Sequence, residues 1–147
     1  MSGGTGSFGR KGVITIWHEL TFSTRAAVDF LEITRELAED LRQSGVQDGV
    51  GYLYIPHTTA GLTLNENADP DVLHDLKLAL ERMLPPSTNF RHMEGNSLAH
   101  LQASLMGFSL MIPVRAGRML LGTWQGVYLC EFDGPRRRRI LVRWVAQ

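Results

Sequence analysis

The chain has 147 residues, of which 44% are hydrophobic and 20% are charged, and fifteen Lys and Arg balance fifteen Asp and Glu. This length suffices for one domain with its own core, and the zero net charge argues against a general nucleic-acid binder, which carries a basic excess. No apolar run approaches the roughly 20 residues of a membrane span, and the single cysteine, Cys130, allows no internal disulfide. The composition therefore predicts a cytoplasmic protein without nucleic-acid or membrane partners.

The N-terminal part of the chain carries a strand pattern followed by a helix pattern. Residues 1–12 are rich in Gly and Ser and are predicted to be a flexible lead, so that a single folded domain spans 13–147. A strand is predicted from Val13 to His18, which places His18 at its end. Apolar residues at helical spacing then predict a helix from Asp29 to Ser44, and Gly45 is typical of a residue that follows a helix.

The middle of the chain repeats this order. The segment from Gly49 to His57 alternates in side-chain character, which predicts a strand with His57 at its end. The residues at 65–70 are interpreted as a turn that opens the second helix. Asp69 followed by Pro70 is typical of an N-cap and a first helical position, so the helix is predicted to begin there.

The C-terminal part is predicted to be mostly β structure. A short helix is predicted from Leu98 to Met106, and four apolar runs separated by Gly and Pro follow it. The four predicted strands are Leu110–Val114, Met119–Thr123, Val127–Phe132 and Ile140–Val145. At least six strands and two main helices, without regular βαβ alternation, predict an α+β fold with a largely antiparallel, sandwich-like core.

Glu131 is the most informative single residue, because the strand around it is predicted to be buried on both faces. A carboxylate there costs several kcal/mol unless it is paired, protonated or bound to a metal. Two interpretations stand: a buried ion pair with Arg143 or an arginine of the run Arg136–Arg139, or a functional carboxylate. The run itself is interpreted either as a solvated strand entry or as an anion site, with alternate arginines on opposite faces.

Three of the five histidines fall at positions that suit ligands. His57, His92 and His100 each lie where a strand, a loop or a short helix meets turn residues. Their spacing matches no standard zinc signature, and hydrogen-bonded structural histidines are the alternative. His74 is predicted to be exposed on a helix, and His18 carries no further signal.

Other polar groups cluster after the second predicted strand. Thr58 and Thr59, followed by a glycine, predict either an anion cradle of hydroxyls and backbone N–H groups or a simple turn. Asn65 belongs either to that region or to the approach to the second helix. Trp124, beside Gln125, is interpreted either as a surface that stacks on a planar ring or as part of the core.

Three long blocks of the sequence occur in a fixed order. They are HTTAGLTLNENADPDV at 57–72, HMEGNSLAH at 92–100 and LGTWQGVYLCEFDGPRRRR at 121–139. Together they closely resemble the YjbQ family (UPF0047), also called the secondary thiamine-phosphate synthase family, over nearly everything from Val13 to Val145. The resemblance implies a small β-sandwich-like α+β fold assembled as a homotrimer, with a metal site formed by histidines near the subunit boundaries.

The resemblance also implies roles for individual residues. It implies a divalent metal held by His57, His92 and His100, for which zinc suits the nitrogen ligands and magnesium would suit a diphosphate substrate. Leu98 departs from the family pattern, which often has a polar residue there, so a carboxylate role at this position is absent. The predicted catalytic residues are Glu131, His57 and Gln125, and the predicted substrate-binding residues are Thr58, Thr59, Asn65, Trp124, Arg136 and Arg138. The threonines and arginines come from the anion-site interpretations above, and the other residues match positions of the family's pocket.

Three functions follow from these residues and the resemblance. The first is thiamine-phosphate synthesis, in which a thiazole nitrogen displaces diphosphate from a pyrimidine-methyl carbon and cations hold the leaving diphosphate. The second is a metal-dependent hydrolase of a phosphorylated or acylated metabolite, with Glu131 or Glu94 as the proton-transfer partner. The third is a non-catalytic metabolite-binding or interaction trimer. The predicted partner of the chain is a small phosphorylated metabolite.

Overall fold

The computed structural model of the chain describes residues 16–147, and eight strands and three helices lie in this range. The predicted lead at 1–12 and the start of the first predicted strand lie outside the described residues. In chain order the elements are β1 (His18–Ser23), β2 (Asp29–Glu32), α1 (Thr34–Ser44), β3 (Gly49–Tyr54), β4 (Ala60–Glu66), α2 (Pro70–Glu81), α3 (Ser97–Met106), β5 (Ser109–Arg115), β6 (Arg118–Met119), β7 (Gln125–Glu131) and β8 (Arg137–Ala146).

The strands form two antiparallel sheets that enclose the main core. The larger sheet has the strand order β1-β8-β3-β5-β6, and the smaller one has the order β2-β7-β4. The main core includes Leu53 and Val142 from the larger sheet, Leu62 and Leu129 from the smaller sheet, and Leu37 from α1. Each such side chain contributes about 1.5–3 kcal/mol when it is fully buried. The predicted α+β class with a sandwich-like antiparallel core is confirmed.

The smaller sheet is covered on its other face as well. Phe30, Tyr128 and Cys130 from its strands pack with Ala99 and Ala103 of α3, and side chains of α2 complete this second cluster. Strand β7 is therefore buried on both faces, as the sequence predicts. Among residues 16–147, no helix has the length and apolar character that crossing a bilayer requires.

Two predictions near the N-terminus are wrong. Strand β1 begins at His18 instead of ending there, and the His18 ring is hydrogen-bonded to the Asp40 carboxylate at 2.7 Å. The predicted helix is wrong in its first five residues, because Asp29–Glu32 form β2 and pair with β7, and Ile33 precedes the first helical turn. These backbone hydrogen bonds to a distant strand override the local helical spacing, and α1 begins only at Thr34.

Two later strands are shorter than predicted. Strand β3 ends at Tyr54, so His57 lies beyond its end, and of the predicted strand Met119–Thr123 only Met119 belongs to a strand, β6.

The start of the second helix agrees with the prediction. The second helix begins at Pro70, and the Asp69 side chain accepts the Asp71 backbone N–H at 2.9 Å, so the predicted N-cap is confirmed. The interpretation of 65–70 as a turn is wrong at its start, because Asn65 and Glu66 belong to β4. Strand β4 is stabilised by pairing along its whole length with β7, which local sequence does not reveal.

Candidate functional site

An arginine-rich pocket lies on the exposed face of the larger sheet, beside the segment that leaves β3. Its volume is about 350 Å³. Strands β1 and β8 are antiparallel and place Thr21 directly opposite Arg139, so their side chains project to the same face. The pocket is lined by Glu19, Thr21, His57, Arg137, Arg138 and Arg139.

Beneath this pocket lies a buried ion pair between Glu131 and Arg138. Glu131 is 0% exposed and Arg138 is 3% exposed. The Arg138 guanidinium donates from Nε to Glu131 Oε1 at 2.8 Å and from Nη2 to Oε2, so the pair is bidentate. The Thr24 hydroxyl and the Asp133 backbone N–H also donate to this carboxylate. The ion-pair interpretation of Glu131 is therefore what the structure adopts.

These contacts fix the charge of Glu131. Burial by itself raises the pKa of the carboxyl, but the hydrogen bonds from Arg138, Thr24 and the Asp133 amide outweigh it and lower the pKa below its ordinary value. Both oxygens are already occupied by donors from the chain. The carboxylate thus orients Arg138 and offers no exposed oxygen for proton transfer.

Arg138 in turn holds the segment that carries His57. Its Nη2 donates to Thr59 Oγ1 at 2.7 Å and to the Thr59 carbonyl oxygen at 3.2 Å. Thr59 is buried, whereas Thr58 is exposed. The hydroxyl of Thr59 is therefore a structural acceptor, and that of Thr58 is the one left at the surface.

His57 is fixed by a hydrogen bond to the neighbouring strand. Its Nε2 accepts the backbone N–H of Arg139 at 3.1 Å. Burial lowers the pKa of the ring, and the charges of Arg138 and Arg139 lower it further, so the ring is neutral at pH 7. Because Nε2 is an acceptor, the proton of the neutral ring is on Nδ1.

The arginines of the run point to alternate faces, as predicted. Arg138 is buried, whereas Arg137 and Arg139 are exposed and line the pocket. Arg136, one of the residues implied to bind substrate, donates from Nε to the Asp133 carbonyl and from Nη2 to its carboxylate. Of the four arginines, Arg137 and Arg139 are the exposed ones that line the pocket. Arg139 is paired with Glu19 at 2.6 Å, as Arg136 is with Asp133.

The other two candidate histidines lie next to each other. The ring centroids of His92 and His100 are 5.4 Å apart, in a T-shaped arrangement. His100 is on α3, and His92 is on the exposed loop before it. The structure thus brings two of the three predicted metal ligands together.

His57 does not fit a metal ligand in this arrangement. Since its Nε2 accepts a hydrogen bond, a metal on Nδ1 would leave the ring without any proton, and the adjacent arginines repel a cation. Within residues 16–147 of one chain, no three His, Cys, Asp or Glu side chains are close enough to hold a metal. A metal centre that combines His92 and His100 with a third His, Cys, Asp or Glu ligand therefore needs that ligand from beyond this part of a single chain.

Three further candidates, Asn65, Trp124 and Gln125, lie at the end of the smaller sheet that is opposite Glu131. Gln125 and Glu131 are the two ends of β7, so about 20 Å of strand separates them. The Gln125 side chain accepts the Gly122 N–H at 2.8 Å, and Asn65 Oδ1 accepts the Glu66 N–H at 2.7 Å. Trp124 is 62% exposed, so its interpretation as a core residue is wrong. One chain does not bring these residues to the arginine-rich pocket.

Sequence reasoning missed two residues of the pocket and one of the network beneath it. Glu19 and Thr21 belong to β1, whose sequence HELTFS alternates between polar and apolar side chains. This alternation is a strand signal, but it begins at His18, where the predicted strand ends. Thr24 lies just beyond β1, where nothing in the sequence indicates that it meets Glu131. The predicted exposure of His74 is confirmed.

Comparisons with known proteins agree with the fold. The family model described as UPF0047 protein YjbQ-like matches residues 18–147. The UPF0047 protein MJ1081 of Methanocaldococcus jannaschii is 45% identical over 131 residues, covering 89% of this chain and 95% of that protein. The UPF0047 protein YugU of Bacillus subtilis is 45% identical over 125 residues, covering 84% of this chain and 95% of its own length.

Solved structures show the same architecture. A YjbQ/UPF0047 family protein from Clostridium acetobutylicum has a TM-score of 0.83 at 45% identity, covering 87% of this chain and 99% of its own. A YbjQ-like protein from Sulfolobus solfataricus P2 has a TM-score of 0.84 at 29% identity, covering 90% of this chain and 98% of its own. With the family model matching nearly every described residue, the chain belongs to the YjbQ-like UPF0047 family.

Proposed function

We propose that this chain binds a small phosphorylated metabolite in the arginine-rich pocket. It transfers the organic group of this metabolite to an acceptor, and diphosphate is released. The observation that carries the proposal is the set of cationic groups around one 350 Å³ pocket, in which Arg138 is already neutralised and Arg137 and Arg139 remain exposed. Within residues 16–147, Arg137 has no carboxylate partner. Arginine suits this task because its planar donors match phosphate oxygens.

The reaction we propose is thiamine-phosphate synthesis. The thiazole nitrogen forms a bond to the pyrimidine-methyl carbon, the carbon–oxygen bond to diphosphate breaks, and diphosphate leaves with the electron pair. Arg137 and Arg139 stabilise the negative charge that develops on the leaving group, and the Nδ1–H of neutral His57 is a further donor. The Glu131–Arg138 pair keeps these groups in position and takes no proton.

The test measures diphosphate release from the pyrimidine diphosphate and thiazole phosphate. Arg137→Gln is expected to lower kcat/KM about tenfold or more, since a hydrogen bond to a charged group contributes about 1.5–3 kcal/mol. Arg35→Gln, at an exposed arginine on α1, is the matched control and leaves the rate unchanged. No turnover above a boiled control would refute the synthase reaction. Ligand-dependent thermal stabilisation without turnover would instead identify a non-catalytic binding protein.

A metal-dependent hydrolase is the second candidate, and the paired rings of His92 and His100 favour it. The missing ligands would then come from a second copy of the chain. Metal content of protein never exposed to a nickel column is expected to fall in His100→Ala but not in His74→Ala, the exposed control. Phosphoesterase activity that chelators leave unchanged would rule this candidate out.

The assembly we propose is a homotrimer in the cytoplasm. Exposed apolar side chains on and beside the outer face of the larger sheet support an interface between copies. They include Tyr52, Tyr54, Phe108 and Met111, and the rings of Tyr54 and Phe108 are in contact at 6.0 Å. Light scattering during gel filtration tests this directly, and a monomeric mass at micromolar concentration would contradict it.

A further inference from the structure

One carboxylate lines the cationic pocket. Glu19 of β1 accepts a hydrogen bond at 2.6 Å from Arg139 Nη1, and both side chains are about half exposed. Glu19 thus occupies part of the guanidinium that the proposed function assigns to the ligand. Glu131, the other carboxylate nearby, is buried beneath the pocket and already holds Arg138.

We propose that Glu19 is an internal competitor for the phosphate ligand. An incoming phosphate or diphosphate displaces the carboxylate from Arg139 and takes its place. The inference rests on the proposed function and adds to it the ligand class, a phosphate group with at least two negative charges, and the residue that restrains its binding.

The geometry favours displacement for three reasons. The Glu19 carboxylate uses only Nη1 of Arg139, whereas a phosphate can accept from two guanidinium donors at once. An exposed ion pair of this kind is weak, so breaking it costs little. A dianion also gains from Arg137, which is exposed on the same face and which the single charge of Glu19 does not neutralise.

Calorimetric titration with inorganic pyrophosphate at low ionic strength tests the proposal. Glu19→Gln keeps the size of the side chain and is expected to tighten binding about two- to fivefold, because the competing ion pair is removed. Glu39→Gln is the matched control, since Glu39 also pairs with an arginine, Arg42, and its substitution changes net charge equally but lies on α1. The affinity of Glu39→Gln for pyrophosphate is expected to equal that of the wild type.

A second comparison identifies the arginine concerned. In an Arg139→Gln background, the gain from Glu19→Gln is expected to disappear, because the competition is for that guanidinium. Glu19→Ala provides an independent substitution at the same exposed position, with the same expected direction.

The outcomes separate the two proposals. If the wild type binds pyrophosphate and Glu19→Gln binds it equally or more weakly, the competitor role is refuted while the anion site stands. If the gain matches that of Glu39→Gln or persists without Arg139, general charge explains it and the competitor role is again refuted. If neither wild type nor any Glu19 variant binds pyrophosphate, the proposed function fails, and this inference fails with it.

Discussion

Replacing Glu131 with Gln measures what the buried ion pair contributes to the fold. The substitution keeps the size of the side chain but leaves the Arg138 guanidinium, 3% exposed, without its counter-charge. Removing one partner of a buried pair costs about 3–5 kcal/mol. The amide cannot replace the carboxylate, because each oxygen accepts two donors: Thr24 and Arg138 Nε on one, Arg138 Nη2 and the Asp133 N–H on the other. Whichever way the amide turns, its NH₂ group meets donors.

Urea unfolding at pH 7 is the assay, and a lower midpoint without a change in m is the expected result. For a chain of this size the loss corresponds to a fall in Tm of about 10 °C. Because the folded-state pKa of Glu131 is lowered, its stabilisation is present above its ordinary pKa of 4.5 and is lost as the pH falls through the folded value. The difference between wild type and variant should therefore narrow in acid.

Two comparisons make this prediction refutable. Replacing both partners, as in Glu131→Leu with Arg138→Met, removes the uncompensated charge and should recover much of the lost stability. Glu39→Gln breaks an exposed pair with Arg42 and should leave the midpoint unchanged. A Glu131→Gln protein that unfolds within about 1 kcal/mol of the wild type at pH 7 would contradict the reasoning.

Three further predictions concern packing, capping and pH. Gly61→Ala should cost about 1–3 kcal/mol in urea unfolding, because its Cβ would lie 2.7 Å from the Cβ of Met106, whereas Gly122→Ala, which meets only a flexible side chain, should cost less. Asp69→Ala should cost about 1 kcal/mol by the same measurement, because the side chain caps α2. The pKa of His57 is lowered in the fold, so its contribution to stability is complete above its ordinary value of 6.5 and declines below it. As the pH is lowered from about 7.5 to about 5.5, the free energy of unfolding should fall more steeply for the wild type than for His57→Gln. Equal slopes would refute the lowered pKa of His57.

Local sequence predicted the elements whose stabilising interactions are local or repeat along one face. The N-cap at Asp69 lies two residues from the amide it accepts. Burial of β7 on both faces follows from its continuous apolar run, and that burial singled out Glu131 as a residue in need of a partner. The alternation of exposed and buried arginines in β8 follows from the period of a strand.

Other features depend on contacts between distant segments. Residues 29–32 have helical spacing in sequence but form a strand, because β7 offers them backbone hydrogen bonds. Likewise, the sequence does not show which arginine pairs with the buried carboxylate of Glu131, because any arginine of the run at 136–139 would satisfy the pattern. The fold places Arg138 beside it.

The sequence by itself determined the family, the α+β class, the cap of α2 and the presence of a buried carboxylate near an arginine run. Tertiary structure alone decided the pocket: His57 meets the Arg139 backbone 82 residues away, and Arg139 meets Glu19 across 120 residues. The physical reason is that side-chain periodicity specifies which face of an element is buried. The partner strand, and therefore the neighbour of each polar group, is specified only by the pairing of the whole sheet.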